Sequence, residues 1–259
     1  MNQIDPELAG AVEPRAAPAA ARRIVALEPV DRRGRRVRLV LDEGDPVELA
    51  LEVVERAGIG AGDPLDEALA AELVDRDLRW RARDAALAYL AHRPRSREET
   101  RRRLRAKAFP GEVIDACLDQ LVLDGLLDDA AFADALVRDR IRLNPRGPAR
   151  LRDELGRRGV SREAAAAAVE RGFVHAEVSD RALAVECALE WLARRSRERS
   201  ALTESEPRGG AFGGARRMGG SSPRVAAIRR LTNFLRGRGF GGEAVRAAVA
   251  AAEAEARRA

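Results

Sequence analysis

Arginine supplies most of the side chains in this sequence that could bind a charged partner. Of the 259 residues, 47 are lysine or arginine, and Lys107 is the only lysine. A guanidinium group can donate two parallel hydrogen bonds to one carboxylate or phosphate, so dense arginine indicates an anionic partner. The candidate partner-binding residues form two clusters, which are Arg93, Arg95, Arg97, Arg101 and Arg105 in the first and Arg142, Arg146, Arg150, Arg157 and Arg158 in the second.

An ordinary solvated helix face is the competing interpretation of these clusters, although such a face would carry more balancing acids. Residues 1–80 have a net charge of −6, whereas residues 81–259 have one of +11. This asymmetry favours nucleic acid or an acidic protein groove as partner of the basic part. The excess of arginine and alanine also fits the base composition of the coding DNA, so both interpretations stay open. No motif that reads base edges is present, so contact with DNA would run through phosphates and weaken with salt.

Enzymatic chemistry is not indicated, because the sequence contains no phosphate-binding loop, nucleophile elbow or zinc-protease motif. The glycine-rich stretch Gly237–Gly242 follows a predicted helix rather than a strand, so a turn between helices explains it. Asp128 and Asp129 could be imagined as a metal or catalytic pair. They stand at the start of a predicted helix, where capping and the helix dipole explain both. We predict a protein without catalytic residues or cofactor.

Metal and disulfide sites are also not expected. Cys117 and Cys187 lie in apolar helical stretches without a CxxC pairing, which favours buried free thiols over a disulfide or metal site. His92 and His175 are the only histidines, and neither has other ligands clustered near it. No apolar run reaches the roughly 20 residues of a membrane span, and the first residues lack the apolar core of a signal peptide. We therefore expect a cytoplasmic protein.

The elements that would position the arginines are mainly helical. Aromatic residues make up only 3% of the chain, so its core must come from alanine, leucine and valine. Residues 1–22 have no periodicity and are predicted to be a disordered tail. An apolar run at 24–27 and alternation at 37–41 and 47–51 then predict three short strands, which would form a small antiparallel sheet. Asp63 is predicted to cap a helix that has Pro64 at its first position.

An internal repeat dominates the rest of the sequence. Leu104, Leu155 and Leu235 each stand five residues before an apolar residue, and three residues later comes a glutamate. A first helix would end at Gly159 or Gly239 in the left-handed conformation, while the glutamate would lie in the first turn of the next helix. Each copy is preceded by another helix, which predicts tandem three-helix units. Neighbouring units would stack, because one alone buries its apolar face poorly.

The start signals and one departure refine this repeat. Ser96 and Glu99 are predicted to form a capping box, and Pro148 and Pro223 each stand at a predicted first helical position. Ala108 occupies the glycine position in the first copy, where a left-handed backbone would cost about 1 kcal/mol. The predicted organisation comprises the tail at 1–22, an α+β segment at 23–80, and helical repeats at 81–128, 129–178 and 179–259, the last with a flexible insertion at 199–222. The fold class is thus mainly α, with tandem three-helix repeats in an elongated array and a small N-terminal β-sheet extension.

A family resemblance rests on a set of these residues in order and spacing. The string from Ala86 through Tyr89 to Glu99, the stretch Leu121–Asp129 and the final Arg238-Gly-Phe240 carry it, together with Phe132, Ala133, Gly147, Glu154, Leu155 and Gly159. The sequence resembles the regulatory protein RecX family over residues 81–253. Ala108 and the predicted insertion depart from the family pattern.

The resemblance implies a regulator of the RecA recombinase. Members of this family lodge in the groove of the RecA filament on single-stranded DNA and inhibit its ATPase, strand exchange and coprotease activities. It thus implies a role in recombinational repair and the SOS response, with a monomer contacting RecA and, through phosphates, the DNA strand. A stand-alone DNA-binding helical protein without sequence specificity, and a scaffold for some other assembly, are the alternatives from other classes.

Overall fold

The computed structural model describes residues 22–32, 34–203 and 222–258. Most of the predicted tail and insertion lies outside these ranges. The described part contains four strands and eleven helices, which are β1 (Arg22–Pro29), β2 (Arg36–Leu41), β3 (Val47–Ala50), α1 (Leu51–Ala57), β4 (Pro64–Leu65), α2 (Glu67–Leu90), α3 (Arg97–Ala106), α4 (Gly111–Leu123), α5 (Asp129–Leu143), α6 (Pro148–Arg157), α7 (Arg162–His175), α8 (Asp180–Ala193), α9 (Ser196–Thr203), α10 (Pro223–Gly237) and α11 (Gly242–Arg258).

The described chain divides into two compact units. The first contains the residues up to Leu87 together with Phe109–Val113, and the second contains Ala88–Ala108 and the residues from Ile114 onward. Helix α2 runs without a break from Glu67 to Leu90, so it continues past residue 80, the predicted end of the α+β segment.

The first unit contains an antiparallel sheet in the order β3-β2-β1-β4. The predicted small antiparallel sheet is thereby confirmed. Val37, Leu39 and Leu41 point into the core, while the residues between them are partly exposed. The fully buried Leu73 of α2 belongs to the same apolar cluster. The unit therefore has the expected arrangement of an antiparallel sheet with one face packed on its core.

Strand β4 corrects the predicted role of Asp63 and Pro64. Pro64 and Leu65 do not begin a helix but pair with Arg23 and Arg22 of β1. The Asp63 carboxylate accepts a hydrogen bond from the Gly60 N–H at 2.7 Å, within the turn before the strand. Leu65 is fully buried, so the gain from placing it in the core outweighs the local signals for a helix start.

A buried carboxylate ties α2 to the start of α1. Asp77 is only 4% exposed. It accepts hydrogen bonds from the Ala50 N–H at 2.7 Å and from Arg36 at 3.2 Å. Ala50 precedes the first residue of α1 and has no side chain that could cap the helix. Asp77 therefore satisfies a backbone donor that the local sequence leaves open.

The second unit confirms the tandem three-helix repeats. In the second repeat, α5, α6 and α7 enclose an apolar core that includes Val137, Leu151 and Leu155. In the third, α8, α10 and α11 enclose a core that includes Trp191 and Leu235. Helix α9 is additional, and Ala201 and Leu202 on it are buried. Residues 199–203, which were predicted to start the flexible insertion, are therefore helical.

The predicted helix ends are observed as well. Ser96 and Glu99 form the capping box, and Pro148 and Pro223 stand in the first turn of their helices. Ala108 has a φ of 62°, so the first copy keeps the left-handed turn without glycine.

Candidate partner-binding surface

The repeats of the second unit are joined by the turn that ends each middle helix. The turn after α6 lies on the N-terminal end of α3. There the Ser96 hydroxyl donates a hydrogen bond to the carbonyl oxygen of Arg158. Arg102 donates another to the carbonyl oxygen of Arg157 at 3.3 Å. The last carbonyl groups of one helix thus find donors in the preceding repeat.

The junction between the second and third repeats is built in the same way as the junction between the first and second. The turn after α10 lies on the N-terminal end of α6, where the Gly147 N–H donates to the carbonyl oxygen of Arg238 at 2.9 Å. The Arg238 guanidinium in turn donates to the carbonyl oxygen of Pro145 at 2.8 Å. A Cβ on Gly239 would stand 2.4 Å from the backbone nitrogen of Arg150. Glycine therefore serves both the left-handed turn and the close approach of two backbones.

Most predicted site residues of the first repeat have partners within the protein. Arg97 and Arg101 on α3 form ion pairs with Asp119 and Asp115 on α4. Of the remaining three, Arg93 pairs with Glu99 at 3.2 Å, Arg95 lies over the Tyr89 ring at 4.2 Å, and only Arg105 is exposed and has no described partner. The charge available to an anionic partner is thus smaller here than the arginine count indicates.

A charge network surrounds Glu154 in the second repeat. Its carboxylate accepts hydrogen bonds from Arg140, the shortest 2.6 Å long, and forms ion pairs with Arg158 at 3.2 Å and Arg146 at 4.0 Å. The Glu154 side chain is 17% exposed. Burial acts to raise its pKa, but the hydrogen bonds and charges of these three arginines outweigh burial and hold the pKa below its ordinary value. Glu154 thereby joins α5 to α6, and Arg158 also lies 4.0 Å from Glu99 on α3.

Several arginines of the second repeat are unpaired. The predicted site residues Arg142, Arg150 and Arg157 have no ion pair among the described residues, nor do Arg138 and Arg152, which the site prediction omitted. The alignment of the first two repeats explains why Arg152 is among these unpaired residues. Because Glu112 aligns with Glu163, Ala166 stands where the first repeat has Asp115, the partner of Arg101. The aligned Arg152 therefore lacks a counter-charge, a signal that the sequence already contained.

The other candidate chemical groups have structural roles in the described ranges. Asp128 accepts hydrogen bonds from the N–H groups of Ala130 and Ala131 as the cap of α5. Asp129 accepts one from the Arg97 N–H at 2.8 Å. Cys117 and Cys187 form no disulfide, and both side chains are buried, as predicted. Within the residues that the structure covers, no group of three or more potential ligands could hold a metal ion, and no helix is long and apolar enough to cross a membrane.

Comparison with known proteins identifies the repeats. A family model for the first three-helix domain of RecX matches residues 82–121, and one for the second matches residues 128–169. The regulatory protein RecX of Halorhodospira halophila (strain DSM 244 / SL1) is 33% identical over 173 residues, which cover 66% of this chain and 88% of that protein. The regulatory protein RecX of Ectopseudomonas mendocina (strain ymp) is 44% identical over 80 residues, which cover 31% of this chain and 53% of that protein.

The chain likewise spans about half the length of other curated relatives. It covers, for example, 54% of the regulatory protein RecX of Geobacillus thermodenitrificans (strain NG80-2). Among solved structures, a crystal structure of regulatory protein RecX covers 88% of this chain with a TM-score of 0.62 and 20% identity. A crystal structure of RecX from Lactobacillus salivarius covers 69% with a TM-score of 0.52 and 18% identity. At these identities the two structures support the fold alone. Fold, family models and the extended match to the Halorhodospira protein together show that the chain belongs to the RecX family of regulatory proteins.

Proposed function

We propose that this protein binds the filament that RecA forms on single-stranded DNA and inhibits its ATPase, strand exchange and coprotease activities. Membership of the RecX family carries the proposal, because 88% of a curated regulatory protein RecX is matched at 33% identity. The protein would act by binding alone, as a monomer in the cytoplasm and without a cofactor. Its role would lie in recombinational repair and the SOS response.

The charge distribution of the second unit supports a filament as the target. The unpaired arginines named above lie on the successive helices α5 and α6 of the second repeat. A surface of this kind suits an extended anionic partner, such as DNA phosphates or acidic groups that recur along a helical polymer. All ten predicted arginines remain part of the proposed partner-binding surface, and Arg138 and Arg152 join them.

RecA-dependent ATP hydrolysis on single-stranded DNA provides the direct test. We expect substoichiometric amounts of this protein to lower the hydrolysis rate, because one bound regulator would affect several filament subunits. The rate is measured at moderate salt with RecA and DNA held constant. An unchanged rate at a stoichiometric excess of this protein would refute the proposal.

Binding to DNA in the absence of RecA tests the alternative of a stand-alone DNA-binding protein. That alternative predicts tight binding to free DNA with a steep salt dependence, because each neutralised phosphate on a single strand contributes a slope of about −0.7. A binding curve that depends on RecA favours the filament-binding proposal. Tight, RecA-independent binding together with unchanged ATP hydrolysis favours the alternative.

The ion pairs within the protein predict which arginines contribute most to filament binding. Replacing the unpaired Arg142 and Arg152 with glutamine should weaken filament binding by about tenfold or more, since the lost charged contacts contribute about 1.4 kcal/mol or more in total. The matched control replaces Arg97 and Arg101, whose charges Asp119 and Asp115 already balance. The control should have a smaller effect on binding. Equal losses in both variants would show that pairing within the protein does not decide the contribution.

A further inference from the structure

A cavity of about 130 Å³ opens in the third repeat beside the ends of α8 and α10. Trp191 and Phe234 line it, with ring centroids 6.2 Å apart and a tilt of 37° between the ring planes. Its volume corresponds to about four water molecules, at roughly 30 Å³ each. The cavity is separate from the unpaired arginines of the second repeat and has no part in the function proposed above.

Three arginines and a single acid supply the charge around this cavity. Arg194, Arg195 and Arg238 all line it, and the one carboxylate is that of Glu190. Glu190 forms only a long ion pair, 3.9 Å from Arg194, and both of these side chains are largely exposed. Arg195 and Arg238 have no acid within ion-pair distance in the described part of the chain. The side chains around the cavity therefore carry two uncompensated positive charges.

Two of the guanidinium groups are held in place by aromatic rings. Arg195 lies over the Trp191 ring at 5.1 Å, and Arg238 lies over the Phe234 ring at 4.7 Å. A stacked guanidinium loses part of its hydration on one face and keeps its N–H donors free around its edge. Such fixed and partly dehydrated donors bind an oxyanion better than mobile surface arginines do.

The remaining polar group that lines the cavity, the Cys187 thiol, does not repel an anion. Burial raises the pKa of the Cys187 thiol, while the charge and the hydrogen bond of Arg238 act in the opposite direction. The thiol is therefore protonated and uncharged at neutral pH. The carbonyl ends of α8 and α10 contribute roughly half a negative charge each, which lowers the net positive charge but leaves it above zero.

We propose that this cavity binds the phosphate group of a phosphate monoester, with Arg194, Arg195 and Arg238 as its donors. A monoester carries about −1.5 to −2 charges near pH 7 and three acceptor oxygens, which match the uncompensated guanidinium groups. Free nucleotides and the 5′ end of a nucleic acid both present this group. Because Arg238 also donates to the carbonyl oxygen of Pro145, the ligand would be linked to the junction between the second and third repeats.

Fluorescence of Trp191 tests this site directly. Trp80 and Trp191 are the only tryptophans, so a Trp80→Phe protein reports on the cavity alone. We expect inorganic phosphate, added at constant ionic strength, to change this fluorescence in a saturable way. Adding Arg195→Gln should raise the half-saturating concentration at least tenfold, whereas Arg236→Gln, an exposed residue of α10 outside the cavity lining, should leave it unchanged.

Three further titrants distinguish the source of the phosphate. Saturation by a nucleoside 5′-monophosphate supports a free nucleotide as ligand, and saturation by a 5′-phosphorylated but not a 5′-hydroxyl oligonucleotide supports a nucleic-acid end. An equal response to both oligonucleotides would overturn the proposal, because it indicates binding of the internal backbone. The same holds if phosphate gives no more change than chloride does, while circular dichroism shows that the variants are folded.

Discussion

Gly239→Ala should destabilise the protein by about 3 kcal/mol, which is a large share of the stability of most domains. Gly239 has a φ of 83°, where a side chain costs about 1 kcal/mol. A Cβ there would also stand 2.4 Å from the backbone nitrogen of Arg150 and 2.9 Å from its Cα. Backbone atoms cannot rotate away as a side chain can, so overpacking adds roughly 2 kcal/mol. Denaturant unfolding followed by circular dichroism measures the loss.

Substitutions of Gly125 and Gly147 allow the cost of backbone strain and the cost of overpacking to be measured separately. Gly125 has a φ of 69° but nothing within 4 Å of an added Cβ, so Gly125→Ala should show only the backbone strain of about 1 kcal/mol. Gly147 has an ordinary φ of −72°. A Cβ on it would stand 2.3 Å from the carbonyl oxygen of Gly239, so Gly147→Ala should show only the overpacking. If Gly239→Ala costs no more than Gly125→Ala, the junction is looser than described.

Glu154→Gln should cost about 2 kcal/mol at pH 7, because it removes the counter-charge that three arginines share, and of these only Arg158 keeps another acid, Glu99 at 4.0 Å, within ion-pair distance. Its side chain is 17% exposed, which places the effect between that of a surface ion pair and that of a fully buried one. Asp134→Asn is the matched control. Asp134 pairs with Arg171 at 2.8 Å, but both side chains are about half exposed. We expect less than about 1 kcal/mol for the control.

The loss in Glu154→Gln should depend on pH in a defined direction. The folded protein holds the pKa of Glu154 below the unfolded value, which is about 4.3. The stabilisation is therefore fully present above the unfolded pKa and is lost as the pH falls through the folded pKa. The difference in unfolding free energy between the two proteins should shrink as the pH falls below about 4. A difference that stays constant down to pH 2 would contradict the assigned network.

The repeated part of the fold could be predicted because its signals are local. Ser96 with Glu99, Pro148 and the glycines at 159 and 239 each specify a helix start or end within a few residues, and periodic leucines specify the buried face. Strand β4 could not be predicted in this way. Two residues have no periodicity, and Pro64 and Leu65 form a strand only because β1 lies beside them.

The sequence shows where the arginines lie along the chain, but not how many of their charges are balanced by acids in the fold. Arg97 and Asp119 lie 22 residues apart, and only the packing of α3 on α4 brings them together. A count of arginines therefore overestimated the free charge of the first repeat. In the second repeat, the alignment of Arg152 with Arg101 and of Ala166 with Asp115 would have indicated a missing counter-charge.

The junctions on the two sides of the second repeat also affect the order in which the repeats unfold. The second repeat is held on both sides, by the turn that it places on α3 and by the turn that it receives from α10. To unfold by itself it must break two interfaces, whereas the first and third repeats each take part in one such junction among the described residues. Among these three repeats, the second should therefore be the last to open. Arg138, Arg142 and Arg152 thus lie on the repeat that both junctions hold in place, so the protein can present them to a partner without opening first.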